Sequence, residues 1–418
     1  MKKIIIEGNK VLRGKIRISG AKNSAVALVP ASILCDEEVT IDSIPNISDI
    51  DALEEMLKYL NADVVRNETS MKINSADINN LAIPEKISKK LRASYYFMGA
   101  LLGRYKKVTM YFPGGCPIGA RPIDLHLKGF EALGAKVYEE GNKYTLIAEK
   151  LKGNNIYLDF QSVGATINIM LAAVKADGVT TIENAACEPE IVNVATFLNN
   201  MGAKITGAGT TTITIEGVDY LHKAYTEVIP DRIEAGTYII AGALMGENLK
   251  IENIIPEHIM SLLQKLKDMG VKMKLEDGTI IVNKSRNLKP VDIQTRVYPG
   301  FATDLQQPMT TILNYCDGVS TILETIYENR FCNVQYLNDM GANITIEDRK
   351  IFINGTNKLV GKKVKATDLR AGACLVLAGL AAEGVTEISD VEHVLRGYEN
   401  IIEKLSNVGA KITLEEIK

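Results

Sequence analysis

LNADV at residues 60–64, LGAKV at 133–137, MGAKI at 201–205, MGVKM at 269–273, MGANI at 340–344 and VGAKI at 408–412 are six versions of one phrase, separated by 73, 68, 68, 71 and 68 residues. Each closes an amphipathic stretch and opens an alternating one. In five of the six the second residue is glycine, which adopts the left-handed conformation that ends a helix at no steric cost. A second marker, the start of a strand after an earlier helix, falls at Val39, Val108, Val179, Leu249, Val319 and Val385 and keeps nearly the same period. Two markers in step define a true internal repeat of about 70 residues.

Within one repeat the pattern predicts a strand, an apolar helix (SAVALVPASIL, 24–34; GATINIMLAAV, 164–174; GACLVLAGLAA, 372–382), a strand, an amphipathic helix (IIEKLSNV, 401–408) and two strands around a turn. The Asp277-Gly278 turn in KMKLEDGTIIVN, 272–283, is the clearest of these hairpins. The unit is therefore βαβαββ, used six times. Helices with no polar face must be covered on all sides, and six of them suit two α/β domains of three units each. The sixth unit stops at KITLEEIK with one strand of its hairpin lacking a partner, which the N-terminal KKIIIEG can supply. That pairing predicts one domain over 22–229 and a second made of 1–21 with 230–418, joined by two crossings, with a cleft and hinge between them.

At 418 residues and 46% hydrophobic, the chain is long enough for two such cores. With 24% charged residues and a net charge of −3, it lacks the basic field of a nucleic-acid binder. The opening MKKIIIEGNK is too short in apolar residues for a signal peptide, and no run is long enough to span a membrane, so a cytoplasmic protein is expected. Nothing points to an obligate protein partner. The six cysteines, 35, 116, 187, 316, 332 and 374, form no CxxC pair, which suits reduced thiols. There is no HExxH, Walker loop or GxGxxG motif.

The polar residues that interrupt the apolar pattern gather where the first strand of each unit meets its buried helix: Lys22-Asn23, Arg92, Ser162-Val163-Gly164, Asp231-Arg232, Asp304 and Asp368-Leu369-Arg370. Equivalent positions of repeated units converge, and helix N-termini offer free N–H groups and a positive dipole end to an anion. The plainer reading makes Asp and Ser ordinary caps and leaves Arg and Lys solvated. A second feature is YFPGGCPIGARPIDLH, 111–126, whose glycines and prolines make a shaped loop around Cys116 with Arg121 nearby. That is the exposed, electropositive setting of a working thiol, whereas Cys35, Cys316 and Cys374 sit in apolar helical stretches and read as core. His126 reads equally as a base, a cap or part of a cleft wall.

SGAKNS (19–24), LRAS (91–94), PGGCPIGARPIDLH (113–126), SVGAT (162–166), NAACEPEIV (184–192), PDRIEAGT (230–237), FATDLQQP (301–308), ENRF (328–331), ATDLRAGA (366–373) and HVLRGYE (393–399) together resemble the UDP-N-acetylglucosamine enolpyruvyl transferases over the whole chain. The cysteine loop and the TDLR segment carry the specificity of this resemblance, since the six-fold repeat is shared with EPSP synthase. The resemblance implies the two-domain inside-out α/β barrel. It makes Lys22, Arg121 and Arg396 similar to phosphoenolpyruvate-binding cations. Asn23, Arg92, Arg121, Pro122, Ile123, Asp124, Leu125, Ser162, Val163, Gly164, Asp304 and Ile326 match positions that hold the nucleotide sugar. Arg330 and Arg370 match further active-site arginines, and Asp368 an acid of the catalytic site. The sequence departs from the pattern at Phe160-Gln161, where some members carry Lys-Val, and at Cys187, which replaces a basic residue.

The chemistry implied by the resemblance needs neither cofactor nor metal. Cys116 is the acid that protonates the methylene carbon of phosphoenolpyruvate, Asp304 the base near the sugar 3′-hydroxyl, and Lys22, Asp368 and Arg396 assist. The same thiol is expected to be alkylated by fosfomycin. Two rivals stay open at this stage: EPSP synthase, with shikimate 3-phosphate as acceptor, and a catalytically idle paralogue that only binds the nucleotide sugar.

Overall fold

The computed structural model describes residues 2–111, 123–356 and 358–416. These separate into two compact units, one running from Gly20 to Ile229 and the other combining the residues up to Ser19 with those from Pro230 onward. Each has its own hydrophobic core.

Three buried helices occupy the centre of each unit, all mainly apolar except the one over 306–313, which departs from the expected pattern by carrying Gln306, Gln307, Thr310 and Thr311. In the first they are α1 (Lys22–Ala31), α2 (Tyr96–Tyr105) and α3 (Val163–Ala173); in the second, α4 (Arg232–Met245), α5 (Gln306–Leu313) and α6 (Leu369–Ala381). Every residue of α1 from Ser24 to Ala31 is buried, as is every residue of α4 after Arg232. The α2 helix packs on both α1 and α3, while α4, α5 and α6 pack on one another. Three small sheets and the amphipathic helices surround each triplet, so helices lie inside and strands outside. The amphipathic helices end as their sequence phrase requires: Gly134, Gly202, Gly270, Gly341 and Gly409 have φ of 98, 101, 90, 101 and 101°, and Asn61, in the glycine's place, has 72°.

The N-terminal strand Lys2–Glu7 does enter the last sheet. It lies antiparallel between Val385–Ser389 and Lys411–Glu416, with Ile4 opposite both Ile388 and Leu414. Two details differ from the regular repeat. The strand before α2 shrinks to one bridge, Ile83 with Met110, because Pro84 follows it and opens the short helix Glu85–Ser88. In addition, Lys15–Arg17, which leads into α1, pairs in parallel with Leu249–Glu252, while Tyr225–Glu227, which leads into α4, pairs with Val39–Asp42. The first and fourth repeats thus exchange their leading strands. Gly20 marks one crossing, and a Cβ there would lie 1.8 Å from the Ser43 carbonyl oxygen. Just before it, the Ser19 amide donates to the buried Glu234 carboxylate at 2.8 Å, and Lys404 bonds the same carboxylate at 2.6 Å.

Ile4 and Ile6 are fully buried, so the N-terminal strand contributes core as well as backbone pairing. Ile6→Ala is expected to destabilise its unit by about 2–5 kcal/mol, read as a lower midpoint in urea unfolding followed by circular dichroism. A full-length variant with an unchanged midpoint would show that this strand is peripheral.

Candidate active site

In the unit that holds α4, α5 and α6, a tight turn at Thr303–Leu305 leads into α5 and carries Asp304. Its two oxygens are taken by two different guanidinium groups: Oδ1 lies 2.6 Å from Arg330 Nη2 and Oδ2 lies 3.0 Å from Arg370 Nη2. Both arginines are buried, at 3% and 4% exposure, while the Asp304 side chain keeps an open edge at 26%. Burial is the largest influence and works against each guanidinium, but Asp304 together with Tyr327 and Glu324 at Arg330, and with Tyr398 and Asp231 at Arg370, leaves both raised above the ordinary arginine value. Each cation also lies over a ring, Arg330 at 5.0 Å from Tyr327 and Arg370 at 5.4 Å from Tyr398. The result is an oriented carboxylate beside two permanent cations, able to take a proton from a hydroxyl and to keep an anion near it.

Glu324, which no sequence signal singled out, holds this arrangement. Its carboxylate accepts from Thr295 Oγ1 at 2.9 Å, from Thr303 Oγ1 at 2.8 Å and from the Ile326 and Tyr327 amides at 2.8 and 3.2 Å. Thr303 Oγ1 in turn accepts from Arg330 Nη1 at 2.8 Å. Ile326 is half-buried on the turn that Glu324 shapes. Asp368 caps α6, its Oδ1 accepting from the Arg370 and Ala371 amides at 2.8 and 2.9 Å. The other oxygen accepts from the Cys332 thiol at 3.0 Å, a contact the sequence reading also missed. Burial and then the Asp368 charge push that thiol up to about 12. Arg396 follows the short helix Glu392–Leu395 and is half-buried. Its neighbour Gly397 permits a close approach to α6, since a Cβ there would be 2.6 Å from the Leu369 side chain.

In the unit that holds α1, α2 and α3, the remaining described candidates sit at the starts of helices. Lys22 opens α1, with Nζ 2.9 Å from Asp49, an acid in the first turn of the helix Ser48–Tyr59 that is 2% exposed. Asn23 beside it is half-buried. Arg92 begins a tight turn through Tyr95 that runs into α2. Ser162 caps α3, its hydroxyl accepting from the Ala165 amide at 3.2 Å, and Val163 and Gly164 form the first turn. Asp124 is exposed at the start of its helix, whereas the side chains of Ile123 and Leu125 belong to the core. Phe160 is exposed, and Gln161 donates to the Ala185 carbonyl at 3.1 Å. Cys116, Arg121 and Pro122 lie outside the described residues.

The plain capping reading thus holds for Ser162, Asp231 and Asp368, all of which accept from amides of the helix they precede. It does not describe Asp304, whose two oxygens meet Arg330 and Arg370, nor Arg370, which is buried rather than solvated. Cys35, Cys316 and Cys374 are fully buried, as core residues should be. Among the described residues no group of His, Cys, Asp or Glu is arranged to hold a metal ion, and no helix is long and apolar enough to cross a membrane.

Asp304→Ala leaves two buried guanidinium groups facing one gap, a loss of about 3–5 kcal/mol for a broken buried pair. Its thermal midpoint should fall, and inorganic phosphate should restore the variant more than it raises the parent protein. Cys332, protonated below about 12, should react far more slowly with iodoacetamide at pH 8 than an ordinary thiol, as read by peptide mass spectrometry.

The sequence family described as EPSP synthase (3-phosphoshikimate 1-carboxyvinyltransferase) matches residues 6–405. A protein of Listeria monocytogenes named UDP-N-acetylglucosamine 1-carboxyvinyltransferase 2 is 54% identical, over 98% of this chain and 97% of its own length. UDP-N-acetylglucosamine 1-carboxyvinyltransferase 1 of Streptococcus agalactiae is also 54% identical, over the whole of both chains. Among solved structures, the enolpyruvyl transferase NikO from Streptomyces tendae matches with a TM-score of 0.91 at 25% identity, over 100% of this chain and 99% of its own. EPSP synthase from Acinetobacter baumannii, at 19% identity and a TM-score of 0.76 over 99% of this chain and 100% of its own, shares the fold. An acid held between two buried arginines, on a six-repeat fold whose full length aligns with these enzymes, leaves one conclusion: the chain belongs to the UDP-N-acetylglucosamine 1-carboxyvinyltransferases, within the enolpyruvyl transferase superfamily.

Proposed function

We propose that this protein transfers the enolpyruvyl group of phosphoenolpyruvate to the 3′-hydroxyl of UDP-N-acetylglucosamine by addition and elimination, releasing phosphate, in the first committed step of peptidoglycan synthesis in the cytoplasm. The observation that carries the reading is Asp304 clamped by Arg330 and Arg370 in a chain 54% identical to enzymes bearing that name. In this reaction the sugar oxygen bonds to the central carbon of phosphoenolpyruvate while a proton adds to its methylene carbon. Loss of phosphate and of one methyl proton from the tetrahedral ketal then restores the double bond.

Asp304 takes the proton of the attacking hydroxyl. Arg330 and Arg370, both held beside that same acid, offset the negative charge that two anionic substrates bring into a site shielded from water. Lys22, Arg121 and Arg396 bind phosphoenolpyruvate. Asn23, Arg92, Arg121 to Leu125, Ser162 to Gly164 and Ile326 hold the nucleotide sugar, with the free amides at the start of α3 suited to an anionic group. Cys116 donates the proton to the methylene carbon, and Asp368 and Lys22 assist its transfer. None of these steps calls for a metal or an organic cofactor.

Phosphate release from phosphoenolpyruvate tests the reading, with UDP-N-acetylglucosamine or shikimate 3-phosphate as acceptor and with or without prior exposure to fosfomycin. Release is expected with the nucleotide sugar alone, and is expected to vanish after the epoxide or in Cys116→Ser. Release with shikimate 3-phosphate would reassign the acceptor. Binding of the nucleotide sugar with no release would make the chain an idle paralogue.

A further inference from the structure

Asn168 is a polar residue in the middle of α3, fully buried in an otherwise apolar setting. Its amide orientation follows from its partners. Oδ1 accepts from the Gly99 amide at 2.9 Å, so Nδ2 is the donating end. Nδ2 gives one hydrogen to the Tyr95 carbonyl at 3.1 Å and the other to His126 Nδ1 at 2.8 Å. His126 must therefore accept at Nδ1 and carry its own proton on Nε2. Burial, and then the charge of Arg92, bring this ring down to about 3, so it is neutral throughout the working range.

Each bond joins a different element. Gly99 and Tyr95 are four residues apart, the spacing at which an α-helix pairs an amide with a carbonyl, and Asn168 reaches both where the Arg92 turn becomes α2. Gly99 lets the two helices meet, since a Cβ there would lie 2.3 Å from the Asn168 carbonyl oxygen. His126 belongs to the helix Asp124–Ala132. On its far side, Nε2 and the Tyr95 hydroxyl press on the first turn of α3, where a Cβ on Gly164 would be 3.1 and 3.0 Å from them. One buried amide and one neutral imidazole thus tie the Arg92 turn, the Asp124 helix and the Ser162-Val163-Gly164 turn to each other.

We infer that Asn168 is a positioning residue for the nucleotide sugar: through Tyr95, Gly99 and His126 it sets the geometry at which Arg92, Asp124 and the N-terminus of α3 meet that substrate. This rests on the assignment of those three elements to the nucleotide sugar made above. It predicts that damage at Asn168 appears in one substrate's KM and not in the other's, which a merely structural asparagine would not produce.

The test uses the full-length enzyme and two variants. Asn168→Leu removes all three bonds, and the KM for UDP-N-acetylglucosamine should rise about tenfold or more, with the KM for phosphoenolpyruvate within about twofold. Asn168→Asp keeps the shape and the acceptor for Gly99 but turns a carboxylate toward the ring, so His126 should gain a proton near neutral pH. The KM for the nucleotide sugar should then vary between pH 5 and 8 in this variant and stay flat in the parent. Among the described residues, the polar and titratable groups facing the ring are Arg92, Tyr95 and Asn168. With four histidines in the chain, the His126 ring signal is assignable by NMR against His126→Gln, and it should titrate between pH 5 and 8 in Asn168→Asp alone. Equal changes in both KM values, a change in thermal midpoint only, or a His126 that titrates in the parent would overturn the inference. Should Arg92→Ala and Ser162→Ala also leave the nucleotide-sugar KM unmoved, the assignment of the substrate to these elements fails instead.

Discussion

A helix with no face turned to water must be covered on every side, and six such buried helices, five of them mainly apolar and α5 carrying buried Gln and Thr side chains, form the centres of the two units. Three such helices cover one another only in part, and sheets and amphipathic helices close the rest. That places strands outside and helices inside, the reverse of the common layered arrangement. It also favours the helix ends for charged side chains, where backbone amides are unpaired and the core need not be entered, while the polar side chains within the helices, such as Asn168, are held by hydrogen bonds. Lys22, Arg92, Ser162, Asp231, Asp304 and Asp368 all stand at such ends.

The equivalent ends have diverged in what they carry. Ser162, Asp231 and Asp368 keep the ordinary task of satisfying the first amides of a helix. Asp304 instead turns its carboxylate to two arginines, one from the start of α6 and one from the loop after the strand Val319–Leu323. Burying two guanidinium groups is costly unless each is paired and its hydrogens are accepted. Here a single acid, two aromatic rings and the Thr303 hydroxyl meet most of that need, while Arg330 Nε has no hydrogen-bond partner among the described residues. Glu324 keeps Thr303 in place, so a residue outside every recognisable motif governs the geometry of the motif residues.

The repeats and their helix ends could be read directly from the chain because they rest on local rules: period, glycine placement and alternation. The glycine phrase names six helix ends, and all six adopt the left-handed conformation, Asn61 included. The leading strand before α2 was not legible in the same way, because Pro84 cancels a strand that the repeat calls for. The domain bounds read from the sequence set 15–17 with the second domain and 225–227 with the first, but the neighbour each strand pairs with was hidden, since a three-residue parallel strand has no preference for one neighbour over another until the chain has folded.

Sequence alone determined the six-fold repeat, the buried character of its helices and the residue types at their ends, since each follows from the spacing of apolar and small residues along the chain. The tertiary structure decided which of those ends are caps and which carry charge. Only folding could bring Arg330 and Arg370 onto one carboxylate, set Glu324 behind Thr303, press Cys332 on Asp368 and place the Asn168 amide between Tyr95, Gly99 and His126. Those partners are tens of residues apart, and hydrogen bonds depend on distances of a few ångströms and on direction, which no linear pattern encodes.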